Sequence, residues 1–344
     1  MNAHTTRAVP VASHVEAFCS SGTSPGRSGA VDVAVPRPSG PLRARVGFEL
    51  HGPEHAPPVV VLGGISAGRH LLPTALDPTP GWWSGVVGSA GPLDPGCRRL
   101  IGVDFLGGAA HHVDPPASVS TLDQAHALAA VLDHLGVDRA RLVGASYGGM
   151  VALAFASAFP HRVDRLVVLC AAHRTHPMAT ALRSVQRGVV RLGERSDRVE
   201  EGLSLARALA MTTYRSAEEF ESRFAARASG QDRGGARFPV EAYLEARGRA
   251  FAATFPAAAY LVLSESVDTH EVSPERIVSP TTLVSFDSDT LVPPWLVEEL
   301  AATAPGVSLH VELQSPYGHD AFLKERDLVR DVVAAALGGS EVAR

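Results

Sequence analysis

The stretch Val143-Gly144-Ala145-Ser146-Tyr147-Gly148-Gly149 decides the fold. It has the form G-x-S-x-G, follows the apolar run Arg141-Leu142-Val143 and leads into a helical segment from Gly149 to Ala158. A nucleophile elbow needs that strand-turn-helix context, because the serine must sit in a strained turn at the top of a sheet. Glycine neighbours let strand and helix crowd together, and the helix N-terminus favours negative charge developing nearby. The plainer alternative is a glycine-rich turn with an incidental serine. The flanking strand and helix weigh against it.

Outward from this turn, short apolar runs alternate with helical stretches. The runs are Pro58–Leu62, Leu100–Val103, Arg141–Val143, Leu166–Leu169, Thr282–Phe286 and Ser308–Val311. Several are continuous and β-branched, as strands covered on both faces should be. Helical patterns cover Thr121–Leu135, Gly149–Ala158 and Phe322–Leu337, with Ser120 and Asp123 marking the start of the first. The alternation predicts an α/β-hydrolase fold with a mostly parallel sheet. Between residues 173 and 278 the pattern turns Arg-rich and helical, which predicts a helical lid over the carboxyl ends of the strands, where such sheets bind ligands. The expected organisation is a flexible leader over residues 1–38, rich in Ser, Gly and Pro, a hydrolase core over 39–172 and 279–344, and the lid over 173–278.

A serine hydroxyl needs a base, and the base needs an acid to orient it. This architecture orders them Ser, Asp or Glu, His. Asp287 and Asp289 follow the Thr282–Phe286 run, and the pattern alone does not choose between them. Of the chain's 15 histidines, His319 stands in a late post-strand loop with a glycine before it. The oxyanion hole should combine the amide of Tyr147 with one from Gly63-Gly64-Ile65, so Gly64 and Ile65 are both candidates.

Composition narrows the class. With 344 residues, 45% hydrophobic and 19% charged, the chain is long enough for one large core. A net charge of -5 argues against nucleic acid or anionic lipid as partner. Cys19, Cys97 and Cys170 show neither metal spacing nor a disulfide framework, which suits a reducing cytoplasm. Cys170 ends an apolar run and reads as a small buried hydrophobe. No apolar stretch reaches the length of a membrane span, and the N-terminus lacks a continuous apolar signal segment. A cytoplasmic protein is expected.

From about Leu42 to the last helix the chain resembles the homoserine O-acyltransferases. Gly81-Trp82-Trp83, then Val87-Gly88 and Leu93-Asp94, is similar to that family's GWW…G…LD stretch. Asp104-Phe105-Leu106-Gly107 stands at its N-x-L-G, and Ser146-Tyr147-Gly148-Gly149-Met150 at its S-M-G-G-M elbow. Tyr243–Gly248, Tyr260-Leu261 and Val267-Asp268 resemble YLxxQG…YLxL…xD. Ser288–Pro293 and Gly318-His319-Asp320-Ala321-Phe322-Leu323 resemble its acid and histidine motifs, and they select Asp289.

The resemblance implies ping-pong acyl transfer. Ser146 would take the acyl group of an acyl-CoA, with His319 as base and Asp289 orienting it, and homoserine would then accept that group. Arg187, Asp320 and Tyr243 would hold the acceptor, although Arg183 and Arg191 beside Arg187 equally suit a solvated helix face. No metal or prosthetic cofactor is implied, acyl-CoA being a co-substrate, and a homodimer is. The chain departs from the family in its oxyanion stretch, Gly63–His70, and at Asp104, Tyr147 and Arg247. Similar departures occur in a succinyl-transferring branch, which favours succinyl-CoA over acetyl-CoA. The rivals are serine as acceptor, separated by only ~1–3 kcal/mol of pocket fit, an esterase or thioesterase using water, and a non-catalytic binding protein.

Overall fold

The β-branched runs become strands of one sheet in the computed structural model, which describes residues 26–109, 116–232 and 235–338. In chain order the strands are β1 (Arg27–Val35), β2 (Leu42–His51), β3 (Pro58–Leu62), β4 (Arg99–Val103), β5 (Ala140–Ala145), β6 (Val163–Leu169), β7 (Gly230–Asp232), β8 (Gly235–Arg237), β9 (Thr281–Phe286) and β10 (Val307–Leu313). Among the described residues eight of them form one sheet in the order β1-β2-β4-β3-β5-β6-β9-β10, and β7 and β8 make a separate hairpin. The pairs from β4 to β10 are parallel, while β1–β2 and β2–β4 are antiparallel.

The helices are α1 (Thr121–His134), α2 (Tyr147–Ala158), α3 (Pro177–Arg195), α4 (Val199–Tyr214), α5 (Ala217–Arg223), α6 (Pro239–Ala252), α7 (Ala257–Asp268), α8 (Pro294–Thr303), α9 (Ala321–Lys324) and α10 (Arg326–Gly338). Ser120 caps α1, accepting from the Asp123 amide while Asp123 accepts from the Ser120 amide, so the sequence signal there is a reciprocal capping box. Both sheet faces are covered. Val60, Leu142 and Val168 pack with Leu128 and Phe155 of α1 and α2, and Val61, Val143 and Leu169 pack with Trp83, Phe322 and Val333 on the other face.

The sequence expectation of a flexible leader to residue 38 is corrected from residue 27 onward. Arg27–Val35 pairs along its whole length with Leu42–His51. Val33 and Val35 alternate into the core, and Arg37 forms an ion pair with Asp123 at 2.8 Å, tying the hairpin to α1. The alternation of three valines at 31, 33 and 35 is a strand signal that the surrounding Ser, Gly and Pro obscure. The remainder of that expected leader, residues 1–25, lies outside the described residues.

The chain leaves β3 to one side for β4 and returns to the other side for β5. That reversal opens a crevice at the carboxyl ends of β3 and β5, where Ser146 follows β5. Residues of α3, α4 and α7 reach the same edge, because Arg183, Arg207 and Ser264 line one cavity with Ser146 and His319. No single helix among the described residues is long and apolar enough to cross a membrane.

Candidate active site

Ser146 sits at φ 54° and ψ −123°, a left-handed conformation that a side-chain-bearing residue adopts only under constraint. The constraint is close packing. A Cβ on Gly144 would lie 2.4 Å from the Gly148 carbonyl oxygen, and one on Gly148 would lie 2.4 Å from the Leu62 backbone. The Gly148 amide donates to the Gly63 carbonyl at 2.7 Å, locking the elbow to the loop after β3.

The Ser146 hydroxyl lies 2.7 Å from His319 Nε2, and His319 Nδ1 lies 2.7 Å from Asp289 Oδ2. The second Asp289 oxygen accepts from the Leu291 and Val292 amides at 2.9 and 3.0 Å, which fixes the carboxylate's orientation. Asp287, the other acid that the pattern allowed, accepts from the Ser315 amide instead and is exposed. Asp289 is therefore the acid that the structure brings to His319. Burial pulls the imidazole pKa down, but the facing Asp289 carboxylate outweighs it, and the net shift is upward. Gly318 holds φ +59° just before His319, where a side chain would meet the Tyr214 carbonyl at 2.9 Å.

Gly64, Ile65 and Tyr147 all border the same cavity as Ser146. The Tyr147 amide is the first of α2, a position with no helical acceptor for its hydrogen. A Cβ on Gly64 would meet nothing within 4 Å, so that glycine faces open space. Neither the Gly64 nor the Ile65 amide donates to a backbone carbonyl among the described residues. The Tyr147 ring turns the other way, into the core, where its hydroxyl contacts Gln124 and Ser266 at 3.1 and 2.7 Å.

The loop after β3 is braced from behind. Asp104 accepts from the Arg69 amide at 2.9 Å and from its guanidinium, so two departures from the family pattern pair with each other. Buried Glu49 accepts from the Leu71 amide at 3.1 Å and contacts His70 and His51. Among the described residues, Cys170, Asp289 and His319 could group around a metal ion, but Asp289 and His319 are already committed to each other.

The acceptor-binding residues expected from the sequence divide. Asp320 lines the cavity beside His319, paired with Arg215 at 3.2 Å. Burial raises its pKa against the opposing pull of Arg215 and His319. Arg187 does not border the cavity; it donates to Asp268 at 2.5 Å and to the Ser264 carbonyl at 3.1 Å. Tyr243 is also elsewhere, its ring 5.1 Å from Phe224 and 4.6 Å from the Arg223 guanidinium.

Arg207 on α4 borders the cavity where Arg187 does not. It lies over the rings of Tyr214 and Phe251 at 5.1 and 4.7 Å, and forms no ion pair among the described residues, although its charge acts on the Asp320 carboxylate. Tyr214, seven residues on and two helical turns away, places its ring 6.2 Å from that of His319. That i, i+7 spacing was a signal available in the sequence. The cavity has a volume of about 230 Å³, enough for a small acyl group and a small acceptor.

The chain matches the family model of the alpha/beta hydrolase fold over residues 57–325. It is 46% identical over 303 residues to a homoserine O-succinyltransferase of Xanthomonas campestris, covering 88% of this chain and 81% of that one. It is 37% identical over 286 residues to a homoserine O-acetyltransferase of Thermus thermophilus, covering 75% and 72%. Among solved structures, a homoserine O-acetyltransferase from Bacillus anthracis superposes with a TM-score of 0.84 at 17% identity, over 93% of this chain and all of that one. An acetylester hydrolase from Corynebacterium glutamicum gives 0.76 at 15% identity, over 92% and 96%. At such identities these two structures speak for the fold alone, and the fold serves transfer and hydrolysis alike.

Proposed function

The chain belongs to the homoserine O-acyltransferases on the α/β-hydrolase fold, and from that membership we propose that it transfers an acyl group from acyl-CoA to the hydroxyl of L-homoserine, a step of methionine biosynthesis. Succinyl-CoA is favoured over acetyl-CoA, in keeping with the 46% identical succinyltransferase of Xanthomonas. One observation carries the reading: a Ser-His-Asp constellation shares its cavity with the guanidinium of Arg207, which forms no ion pair among the described residues, and with the half-buried carboxylate of Asp320. Water needs neither charge, whereas an amino-acid zwitterion needs one of each.

In the first half-reaction Ser146 Oγ attacks the thioester carbonyl while His319 Nε2 takes its proton. The oxyanion faces the amide of Tyr147 and that of Gly64 or Ile65. Collapse breaks the carbon–sulfur bond, and the proton on His319 passes to the departing CoA sulfur. In the second half-reaction His319 takes the proton of the homoserine hydroxyl as that oxygen attacks the acyl-serine. The proton then returns to Ser146 Oγ as the ester forms. Asp289 stays ionised and holds Nδ1–H throughout.

Arg207 takes the homoserine carboxylate and Asp320 its ammonium. The thioester is already activated, so the chemistry requires no metal or prosthetic group. A cytoplasmic homodimer supplied with CoA thioesters is the setting in which we place the enzyme, on the grounds of family and composition.

The test measures CoA thiol release from succinyl-CoA and acetyl-CoA, each with homoserine, serine or no acceptor. Release that requires homoserine supports the reading. Equal release without any amino acid makes the protein a thioesterase, and preference for serine reassigns the acceptor.

A further inference from the structure

Two buried carboxylates hold the loop after β3 without reaching the catalytic cavity. Glu49 lies in β2 and Asp104 just after β4, on neighbouring antiparallel strands. They are 3% and 6% exposed, and none of Glu49, Arg69, His70 and Asp104 borders the cavity. A carboxylate so placed is costly unless it is both hydrogen-bonded and paired. Here each one is. Asp104 Oδ1 accepts from the Arg69 amide at 2.9 Å, while Oδ2 meets the Arg69 guanidinium. Two residues on, the Leu71 amide donates to Glu49 Oε1 at 3.1 Å, and His70 Nδ1 lies 3.1 Å from Oε2. The other His70 nitrogen faces the Thr79 carbonyl at 2.8 Å, so both stand opposite acceptors, as in an imidazolium.

The sheet is cleared for this contact. A Cβ on Gly47 would lie 2.0 Å from Arg69 Nη1 and 2.3 Å from Asp104 Oδ2. One on Gly102 would lie 2.0 Å from the Arg69 carbonyl oxygen. The loop is therefore pinned at both ends. At its start the Gly63 carbonyl accepts from the Gly148 amide of the elbow at 2.7 Å, and at its end Arg69 and Leu71 are held by Asp104 and Glu49. Between the pins lies a turn closed by the Ala67 amide on the Gly64 carbonyl at 2.9 Å. Gly64 and Ile65, the two candidate oxyanion donors, belong to that turn.

We propose that Asp104 and Glu49 are positioning residues for the oxyanion hole: by holding Arg69 and Leu71 they set where the Gly64 or Ile65 amide stands over Ser146. Placement decides the rate, because a shift of about 1 Å in a reacting geometry costs on the order of 100-fold. The acylation and deacylation intermediates put their oxyanion in the same hole, so the clamp serves both steps alike. For its natural donor and acceptor this inference rests on the acyl-transfer reading above.

The test compares wild-type protein with Asp104→Ala, Asp104→Asn and Glu49→Gln, using succinyl-CoA plus homoserine and, separately, p-nitrophenyl acetate. Rapid mixing separates the CoA burst, which reports acylation of Ser146, from the homoserine-dependent decay of the acyl-enzyme. In Asp104→Ala both rate constants should fall together, on the order of 100-fold, with KM for succinyl-CoA within a few-fold of wild type. Asp104→Asn keeps an acceptor for the Arg69 amide and should recover part of the loss. Glu49→Gln should show the same joint fall to a smaller extent. If Asp104→Ala does not fold, Arg69→Met breaks the same pair from a side chain that is 38% exposed, and both rates should again fall together. Unchanged rate constants in folded variants, a loss confined to one half-reaction, or a raised KM alone would overturn the proposal. A fall with the nitrophenyl ester in a protein that ignores acyl-CoA would remove the transferase reading and leave the clamp standing. A wild type inert to both donors would overturn the two together.

Discussion

At the residue scale, catalytic competence depends on the protonation of one imidazole. His319 must be neutral at Nε2 to accept the Ser146 proton, and the Asp289 carboxylate raises its pKa above the ordinary histidine value despite burial. Acidification therefore switches activity off at a higher pH than a free imidazole would. In Asp289→Asn the stabilising charge is gone, so the acid limb of the kcat/KM profile should move to lower pH. The maximal rate should drop on the order of 10⁴-fold, because the amide holds the wrong tautomer. A pH–rate profile of the two proteins checks both effects. An acid limb that stays in place in the variant would mean that another group controls it.

At the element scale, the elbow is built from strand-turn-helix packing too tight for side chains. Gly148→Ala would place a methyl 2.4 Å from the Leu62 backbone, which cannot rotate away. It should destabilise the fold by about 3 kcal/mol, the upper range for overpacking, measured as a lower urea midpoint at unchanged slope. Gly64→Ala has open space in front of it and should leave the midpoint nearly untouched. This distinction was not legible in the sequence, where both are glycines in glycine-rich turns. The strands were legible, because β3, β5, β6 and β9 are buried on both faces and their β-branched runs are continuous. β1 was missed, since its alternating valines lie in a stretch otherwise rich in Ser, Gly and Pro. The order Ser146, Asp289, His319 could be read from post-strand positions and the family motifs. The arginine that we propose for the acceptor could not, because helical periodicity groups Arg183, Arg187 and Arg191 without saying which way α3 turns. Only the packing of α3 against α7 places Asp268 beside Arg187, while Arg207 of α4 borders the cavity.

At the scale of the whole molecule, the helices inserted between β6 and β9 must stay seated on the sheet for water to be kept from an acyl-enzyme. One buried carboxylate makes much of that connection. Glu219 on α5 contacts Arg215 and Arg223 from its own segment and Lys324 of α9, at 2.5 to 2.9 Å. Burial raises its pKa, but hydrogen bonding to Lys324 and the charges of Arg215 and Arg223 outweigh that, and the net direction is downward. A carboxyl whose pKa is lower folded than unfolded stabilises the native state above its unfolded pKa. That contribution fades as pH falls through the folded value. Glu219→Gln should therefore lower the melting temperature at pH 7 and flatten its dependence on acidification. An equally steep acid dependence in the variant would place the linkage in other carboxylates.

The central claim is that Ser146 carries the acyl group between two substrates. Wild-type protein mixed with succinyl-CoA alone should release close to one equivalent of CoA thiol in a burst. Peptide mass spectrometry should then find a succinyl ester on Ser146, and added homoserine should discharge it as O-succinylhomoserine. Ser146→Ala should give neither burst nor adduct. Homoserine acylation at an undiminished rate in Ser146→Ala, or steady CoA release with no acyl-serine and no need for an acceptor, would contradict the account.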